Sequence, residues 1–363
     1  MSSNFASGQN IVLKPRGEAS KGGLILGNWL SRECVVTRLE QLAGPSKNRP
    51  RVRGVEPVLE AIDVWKVYRQ GARKVTALRG VNLKIERGTI TTLLGKNGAG
   101  KTTFLRIAAT QLLPTKGTVR VFGFDVVREP WPIRERIAVI PQDAKPLLFP
   151  SPYEYVKTIQ VMRGCGFGEA HRRTVEALEE MEIPREVWNR SLWSLSGGMR
   201  RRVLLAAVLA ADADLVFLDE PSIGLDPIAR RRLWSKIAKL REHGKTVLLT
   251  THYMEEAEVL SDKVVLVHKG RVYLEGEPLQ LVKSLLWKFK IEVTSACTLD
   301  GLSEAGEIAD TGPPYYIYAR DSEQASSIME TLTKRGCRAV VAPVSLEDVF
   351  LLSVREKEGY RDL

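Results

Sequence analysis

No apolar run in this sequence approaches the roughly 20 residues that a helix needs to cross a bilayer. The best candidate, Val203 to Ala211, stops at Asp212 and follows Arg200, Arg201 and Arg202. The chain is not expected to span a membrane on its own. Cysteine is scarce, with four in 363 residues. Cys34, Cys165, Cys297 and Cys337 stand far apart and match neither a C-x-x-C pair nor a metal-ligand spacing. A reducing cytosol is the natural expectation. Cys297 and Cys337 could meet within the C-terminal region, but a pair of buried thiols is expected there. Four histidines leave little material for a multi-histidine metal centre. The first residues are not expected to act as a secretory leader. Ser2 to Pro57 carries nine Lys/Arg against four Glu, without a sustained apolar core.

What remains is a globular chain with an ample core. The apolar fraction is 44%, the formal net charge +11 and the pI near 9.5. Such a charge fits nucleic acid, anionic lipid or a basic solvated surface. The arginines are scattered rather than gathered in one tract, which favours the last. Residues 1–56 are expected to form a basic, disordered extension with one amphipathic patch from Trp29 to Leu42. It could touch anionic lipid or a partner; a mis-assigned start to the chain is the alternative.

The first chemical signal is Gly95-Lys96-Asn97-Gly98-Ala99-Gly100-Lys101-Thr102-Thr103, which fits G-x-x-x-x-G-K-[ST]. Thr89 to Leu94 before it reads as a buried strand, and Phe104 to Ala108 after it as a helix. That context is what a phosphate-binding loop requires. Glycines let backbone N–H groups converge without a Cβ in the way. The helix N-terminus adds partial positive charge. Lys101 would reach the β- and γ-phosphates of a nucleotide, and Thr102 would ligate Mg2+.

The rest of the chain reads as alternating strands and helices. Val58 to Val64 suits an edge strand and Val81 to Ile85 a second strand. Thr118 to Gly123 and Ile137 to Ile140 come next. The stretch 150–190 is helical and amphipathic, and Leu195 to Ala211 is a helix opened by Ser196-Gly197-Gly198. Leu215 to Leu218 is wholly apolar, as parallel sheets require. Arg230 to His243 is a helix, Thr246 to Thr250 a strand, and 264–274 a hairpin. Beyond about Leu286 the composition resets to a small α+β appendage. Its strands are Phe289 to Val293, Tyr315 to Tyr318 and Ala339 to Val341, and its helix is Ser322 to Arg335.

Two further patterns narrow the chemistry. Leu215-Val216-Phe217-Leu218-Asp219-Glu220 places two acids at the carboxyl end of an apolar strand, where parallel α/β sheets bind ligands. Asp219 would hold the Mg2+, and Glu220 would orient and deprotonate a water. Upstream, Leu195-Ser196-Gly197-Gly198-Met199-Arg200 opens a helix whose positive end can hold an anion. With these residues the chain resembles the nucleotide-binding subunits of ABC transporters, whose signature is L-S-G-G.

The resemblance covers roughly residues 57–286. It implies an α/β P-loop NTPase fold with a parallel core sheet, an antiparallel β subdomain and a helical subdomain. It also implies ATP and Mg2+. By the family's pattern Gln142 matches the Q-loop, contacting metal and lytic water. Gly224-Leu225-Asp226-Pro227 matches the D-loop, which crosses between subunits. His252, in Thr250-Thr251-His252-Tyr253, matches the switch histidine at the γ-phosphate. Tyr68, in Lys66-Val67-Tyr68-Arg69, stands where an aromatic ring stacks on adenine. ATP contacts fall on Gly95, Asn97, Gly98, Ala99, Gly100, Lys101, Thr102 and Thr103. Ser196, Gly197, Gly198 and Asp226 would act on the ATP of a second subunit.

The appendage, residues 287–363, is also similar to one carried by some members. Its Ser345-Leu346-Glu347-Asp348-Val349-Phe350 run resembles that of subunits paired with a separate exporter-type membrane protein. The resemblance thus implies a dimer, expected to be of two copies of this chain. It would lie peripherally on the cytoplasmic face of the cell membrane beside a membrane-spanning permease. Lys96 and Ile223 depart from the family's usual proline and small residue, outside the catalytic set. A non-transport ABC ATPase acting on nucleic acid or ribosomes is the alternative. Only 53 residues separate Gln142 from Ser196, which leaves no room for a long coiled-coil insertion, and there is one cassette.

Overall fold

The computed structural model describes residues 57–71, 73–142, 151–294, 307–309 and 314–358. The chain divides into two units, 1–47 and 48–363. The basic extension, with its Trp29–Leu42 patch, lies outside the described residues. All the described elements belong to the second unit.

The first sheet is antiparallel. It comprises β1 (Leu59–Gln70), β2 (Arg73–Ile85), β4 (Lys116–Val121) and β5 (Phe124–Asp125), in the order β2-β1-β4-β5. The alternation of β1 suits an edge strand, yet the strand lies between β2 and β4. Alternation reports one buried face and does not say whether both edges are paired.

The second sheet carries β3 (Ile90–Leu94), β6 (Ile137–Ile140), β7 (Leu215–Asp219), β8 (Thr246–Thr251), β9 (Lys263–His268) and β10 (Arg271–Gly276). Its order is β10-β9-β3-β8-β7-β6, parallel except for the antiparallel edge strand β10. Every residue of β3, β7 and β8 is buried. Strands covered on both faces need continuous apolar or β-branched sequence, and these have it. Alternate residues serve the two faces. Leu215 and Phe217 join a core with the antiparallel sheet and the helix after the glycine loop, α1 (Lys101–Ala108). Val216 and Leu218 face a core with the helical region instead.

The helices continue with α2 (Pro130–Arg136), α3 (Pro152–Met162), α4 (Phe167–Glu180), α5 (Gly197–Ala210), α6 (Pro227–Glu242), α7 (Met254–Leu260) and α8 (Pro278–Ser284). α5 buries seven residues from Val203 to Ala210, which explains why it carries the most apolar run. Among the described residues no helix is long and apolar enough to cross a membrane.

The third sheet holds β11 (Phe289–Val293), β12 (Glu307–Ala309), β13 (Tyr315–Ala319) and β14 (Ala339–Pro343), in the order β12-β13-β11-β14. α9 (Ser322–Lys334) covers it through Ala325, Ile328 and Leu332. α10 (Leu346–Glu358) instead packs Leu346, Val349 and Phe350 against Leu94, Ala257, Val264 and Leu266. Cys337 is disulfide-bonded, so the expected buried thiol there is corrected. Sequence spacing carries no information on such a through-space approach. Cys165 is free, while Cys34 and Cys297 lie outside the described residues.

Candidate active site

The glycine loop runs from the end of β3 to the first turn of α1. Gly95 and Gly100 are required by what surrounds them. A Cβ at Gly95 would stand 2.1 Å from the Val267 carbonyl oxygen. Gly100 has φ 108°, and a Cβ there would meet the Ala77 oxygen at 2.6 Å. No other residue lets the loop approach these backbones. Lys96, Asn97 and Gly98 form the exposed rim, while Ala99 and Gly100 are buried. The first amides of α1 lack intrahelical acceptors and give the loop its anion-holding end.

Lys101 is 4% exposed. Its Nζ donates to the Gly95 oxygen at 2.7 Å and the Lys96 oxygen at 3.1 Å, and lies 3.5 Å from Glu220 Oε1. Burial lowers its pKa, while Glu220 and Asp219 act in the opposite direction. The loop thus holds a cation in a low-dielectric pocket, where attraction to phosphate is strong.

The acids at the end of β7 face this loop. Thr102 Oγ1 donates to Asp219 Oδ1 at 2.9 Å, and Thr250 Oγ1 donates to the same oxygen at 2.6 Å. Asp219 Oδ2 is buried without a hydrogen-bond partner. Glu220 is 6% exposed and adopts φ 46°. Its N–H bonds the Thr250 carbonyl at 3.0 Å and Thr250 Oγ1 at 3.1 Å. His252 Nδ1 lies 3.2 Å from Glu220 Oε2, without hydrogen-bonding geometry. A left-handed backbone at a non-glycine residue stores strain, and here it sits at the acid aimed at the lysine.

Lys101, Thr102, Asp219, Glu220 and His252 therefore converge. Tyr68 comes near as well, its hydroxyl 3.3 Å from Thr103 Oγ1. Gln142 is two residues past Ile140, which registers with Leu218, so it lies beside the end of β7. Its carbonyl accepts from Arg201 at 2.7 Å. Ser196, Gly197, Gly198 and Asp226 form a separate group. Ser196 caps α5 by accepting from Met199 N at 3.2 Å. Asp226 caps α6 through Ile228 N and Ala229 N, both at 3.0 Å. Cβ atoms built on Gly197 and Gly198 would meet Leu225 at 3.7 Å and Ala229 at 3.3 Å. Among the described residues, no hydrogen bond joins this group to the glycine loop.

Thr250 is the functional residue that sequence reasoning missed. Its type suits a strand, and only the register Asp219↔Thr250 reveals its second use. The buried Ser222–Trp234–Glu256 cluster behind the site was missed too.

A glycine loop feeding a helix, with strand-end acids facing its lysine, defines a P-loop nucleoside triphosphatase. The ABC transporter family model matches residues 78–223. The daunorubicin/doxorubicin resistance ATP-binding protein DrrA of Streptomyces peucetius is 39% identical over 62% of this chain and 67% of its own. A Nod factor export ATP-binding protein I of Cupriavidus pinatubonensis is 34% identical over 83% of this chain and 93% of its own. A dimeric ATP-binding cassette solved in a post-hydrolysis state with ADP and Pi superposes with TM-score 0.55. It is 27% identical, across 60% of this chain and 98% of that one. The chain belongs to the ABC transporter family as an ATP-binding subunit, and its enzymatic activity is ATP hydrolysis. An ABC ATPase working on nucleic acid or ribosomes finds no support among these relatives.

Proposed function

We propose that this chain hydrolyses ATP in a head-to-tail dimer, and that the cycle drives export through a separate membrane-spanning subunit. The carrying observation is the division of the site. Lys101, Thr102, Asp219, Glu220 and His252 surround one point, whereas Ser196–Gly198 is held elsewhere beside Asp226, with Ser196 and Gly197 exposed and Gly198 half-buried. A second copy, presenting Ser196, Gly197, Gly198 and Asp226, would close the site over the γ-phosphate.

The proposed roles combine this geometry with what the family resemblance implies. The loop from Gly95 to Thr103 wraps the phosphates, and Tyr68 stacks on adenine. Lys101 neutralises the β- and γ-phosphates. Glu220, poised between Lys101 and His252, accepts the proton of the attacking water. His252 holds the γ-phosphate. Mg2+ fits the donor set of Thr102 and Asp219, with Gln142 alongside, because Asp219 Oδ2 is a buried acceptor without a protein partner. When bound, the ion supplies charge neutralisation to the phosphates.

We assign residues 57–286 to the ATP-binding domain and 287–363 to an accessory domain. The membrane subunit is proposed to dock on α3 and α4, where Tyr153, Lys157, Val161 and Phe167 line an open cleft of about 530 Å3. The chain would then sit peripherally on the cytoplasmic face of the cell membrane. Glu220→Gln tests the reading: ATP still binds, turnover is lost and an ATP-bound dimer accumulates on size exclusion. Wild-type turnover in that variant would remove Glu220 as the base.

A further inference from the structure

Behind the site lies a buried carboxyl that the mechanism above does not use. Glu256 sits on α7, four residues after His252, and is 0% exposed. Its Oε1 accepts from the Ser222 hydroxyl and, at 2.9 Å, from Trp234 Nε1. Trp234 Nε1 also reaches Ser222 Oγ at 3.1 Å. Ser222 is two residues past Glu220, and Trp234 belongs to α6, which Asp226 caps. One oxygen therefore joins the segment carrying the general base, the helix that follows Asp226, and the helix that follows the switch histidine.

The same junction is braced from outside. The Arg230 guanidinium on α6 lies over the Tyr253 ring, 4.0 Å from its centroid, and that ring stacks beside His252 at 4.1 Å. Burial pushes the Glu256 carboxyl above the ordinary carboxylate range. Its Oε2 is buried without a hydrogen-bond partner. An acceptor in a dry pocket is a stiff locator, because breaking its bonds strands donors away from water.

We propose that Glu256 is a positioning residue for ATP hydrolysis, locking the loop that carries His252 against the loop that carries Glu220. The inference rests on the roles given to those two residues above. His252 and Glu220 lie on different strand ends, and Glu256 is the buried side chain that ties the segments following them, inside the outer Arg230–Tyr253 and Arg231–Glu255 contacts. Without it, the Glu220–His252 spacing would widen while the phosphate loop, on the far side, stayed in place.

The test is steady-state ATP hydrolysis by the purified full chain with Mg2+, reading kcat and KM separately. Glu256→Ala should lower kcat at least about tenfold, as misplacement of catalytic groups does, with KM for ATP changed less than about twofold. Glu256→Gln keeps the acceptor oxygen for Ser222 and Trp234 and should restore kcat to within about threefold. Unchanged kcat in Glu256→Ala, a loss carried by KM, or a glutamine variant as slow as the alanine one overturns the proposal. Should Glu256→Ala fail to fold, Ser222→Ala carries the test. It should lower kcat about threefold or more with KM and melting temperature nearly unmoved, and wild-type kcat there overturns the proposal. Full turnover by Glu220→Gln would instead sink the reading of the site itself. An inactive Glu220→Gln beside an unaffected Glu256→Ala removes this inference alone.

Discussion

Thr250 shows how a single hydroxyl can serve two acids at once. It donates to Asp219 Oδ1 and accepts from the Glu220 amide, so it sets both strand-end residues relative to β8. Thr250→Val keeps the β-branched shape and removes only the hydroxyl. The Glu220 amide retains the Thr250 carbonyl, so folding should survive. We expect kcat to fall about tenfold, a loss of about 1.4 kcal/mol in transition-state stabilisation, with ATP binding little changed. Equal kcat in the two proteins would show that Thr102 alone orients Asp219. Residues whose chemistry depends on local spacing, such as Lys101 and Thr102 behind the glycines, are legible directly in the sequence. Thr250 is not, because its use depends on which strand lies beside β8, a non-local fact that a strand-forming residue type does not report.

Among the elements, α7 and α10 connect the appendage to the site. α10 buries Phe350 and Val349 against Leu94, the residue just before the phosphate loop, and against Ala257 on α7. Its start is fixed by Asp348, whose Oδ2 accepts from Ser345 N at 2.8 Å and Ser345 Oγ at 3.0 Å. This Ser-x-x-Asp pattern is a helix-opening signal present in the sequence. It does not stand out as a helix there because the apolar face beyond it finds its partners on the cassette and not in its own sheet. The elements with self-contained patterns, such as β7 and α9, are readable from spacing alone.

Glu258 on α7 accepts from Leu346 N at 2.6 Å, tying the start of α10 to α7. Burial first, then the charges of Asp348, Glu255 and Glu347, raise its pKa above the ordinary 4.5. Between 4.5 and the raised value the folded chain binds more protons than the unfolded one. Stability from this group therefore falls as pH rises through that window. Glu258→Gln keeps the acceptor for Leu346 N and cannot ionise. Its melting temperature should decline less steeply than that of the native chain as pH rises above 4.5. Parallel curves would mean that Glu258 is no more costly to ionise folded than unfolded.

For the whole molecule, the decisive property is that the proposed site is incomplete in one chain. The net charge of +11 points to no particular partner; the placement of Ser196 away from Lys101 points to a second copy. In a two-fold dimer each site would take Lys101 from one protomer and Ser196 from the other. Lys101→Ala and Ser196→Arg should each inactivate a homodimer, one by removing the phosphate cation and the other by filling the closing surface. Mixed, they behave differently from either. A heterodimer has one site built from the intact Lys101 of the Ser196→Arg chain and the intact Ser196 of the Lys101→Ala chain, and a second site with both lesions. Random exchange makes half the dimers mixed, each with one of two sites whole, so about one quarter of wild-type ATPase activity should return if the sites act independently. Activity that stays at the mean of the two inactive parents, after exchange has been verified by differential labelling, would mean that Ser196 and Lys101 act within the same chain. The division between Lys101 and Ser196 would then need a movement of α5 toward its own glycine loop. Recovery would instead make the dimer the smallest complete enzyme and give each Ser196 a function that its own chain cannot use.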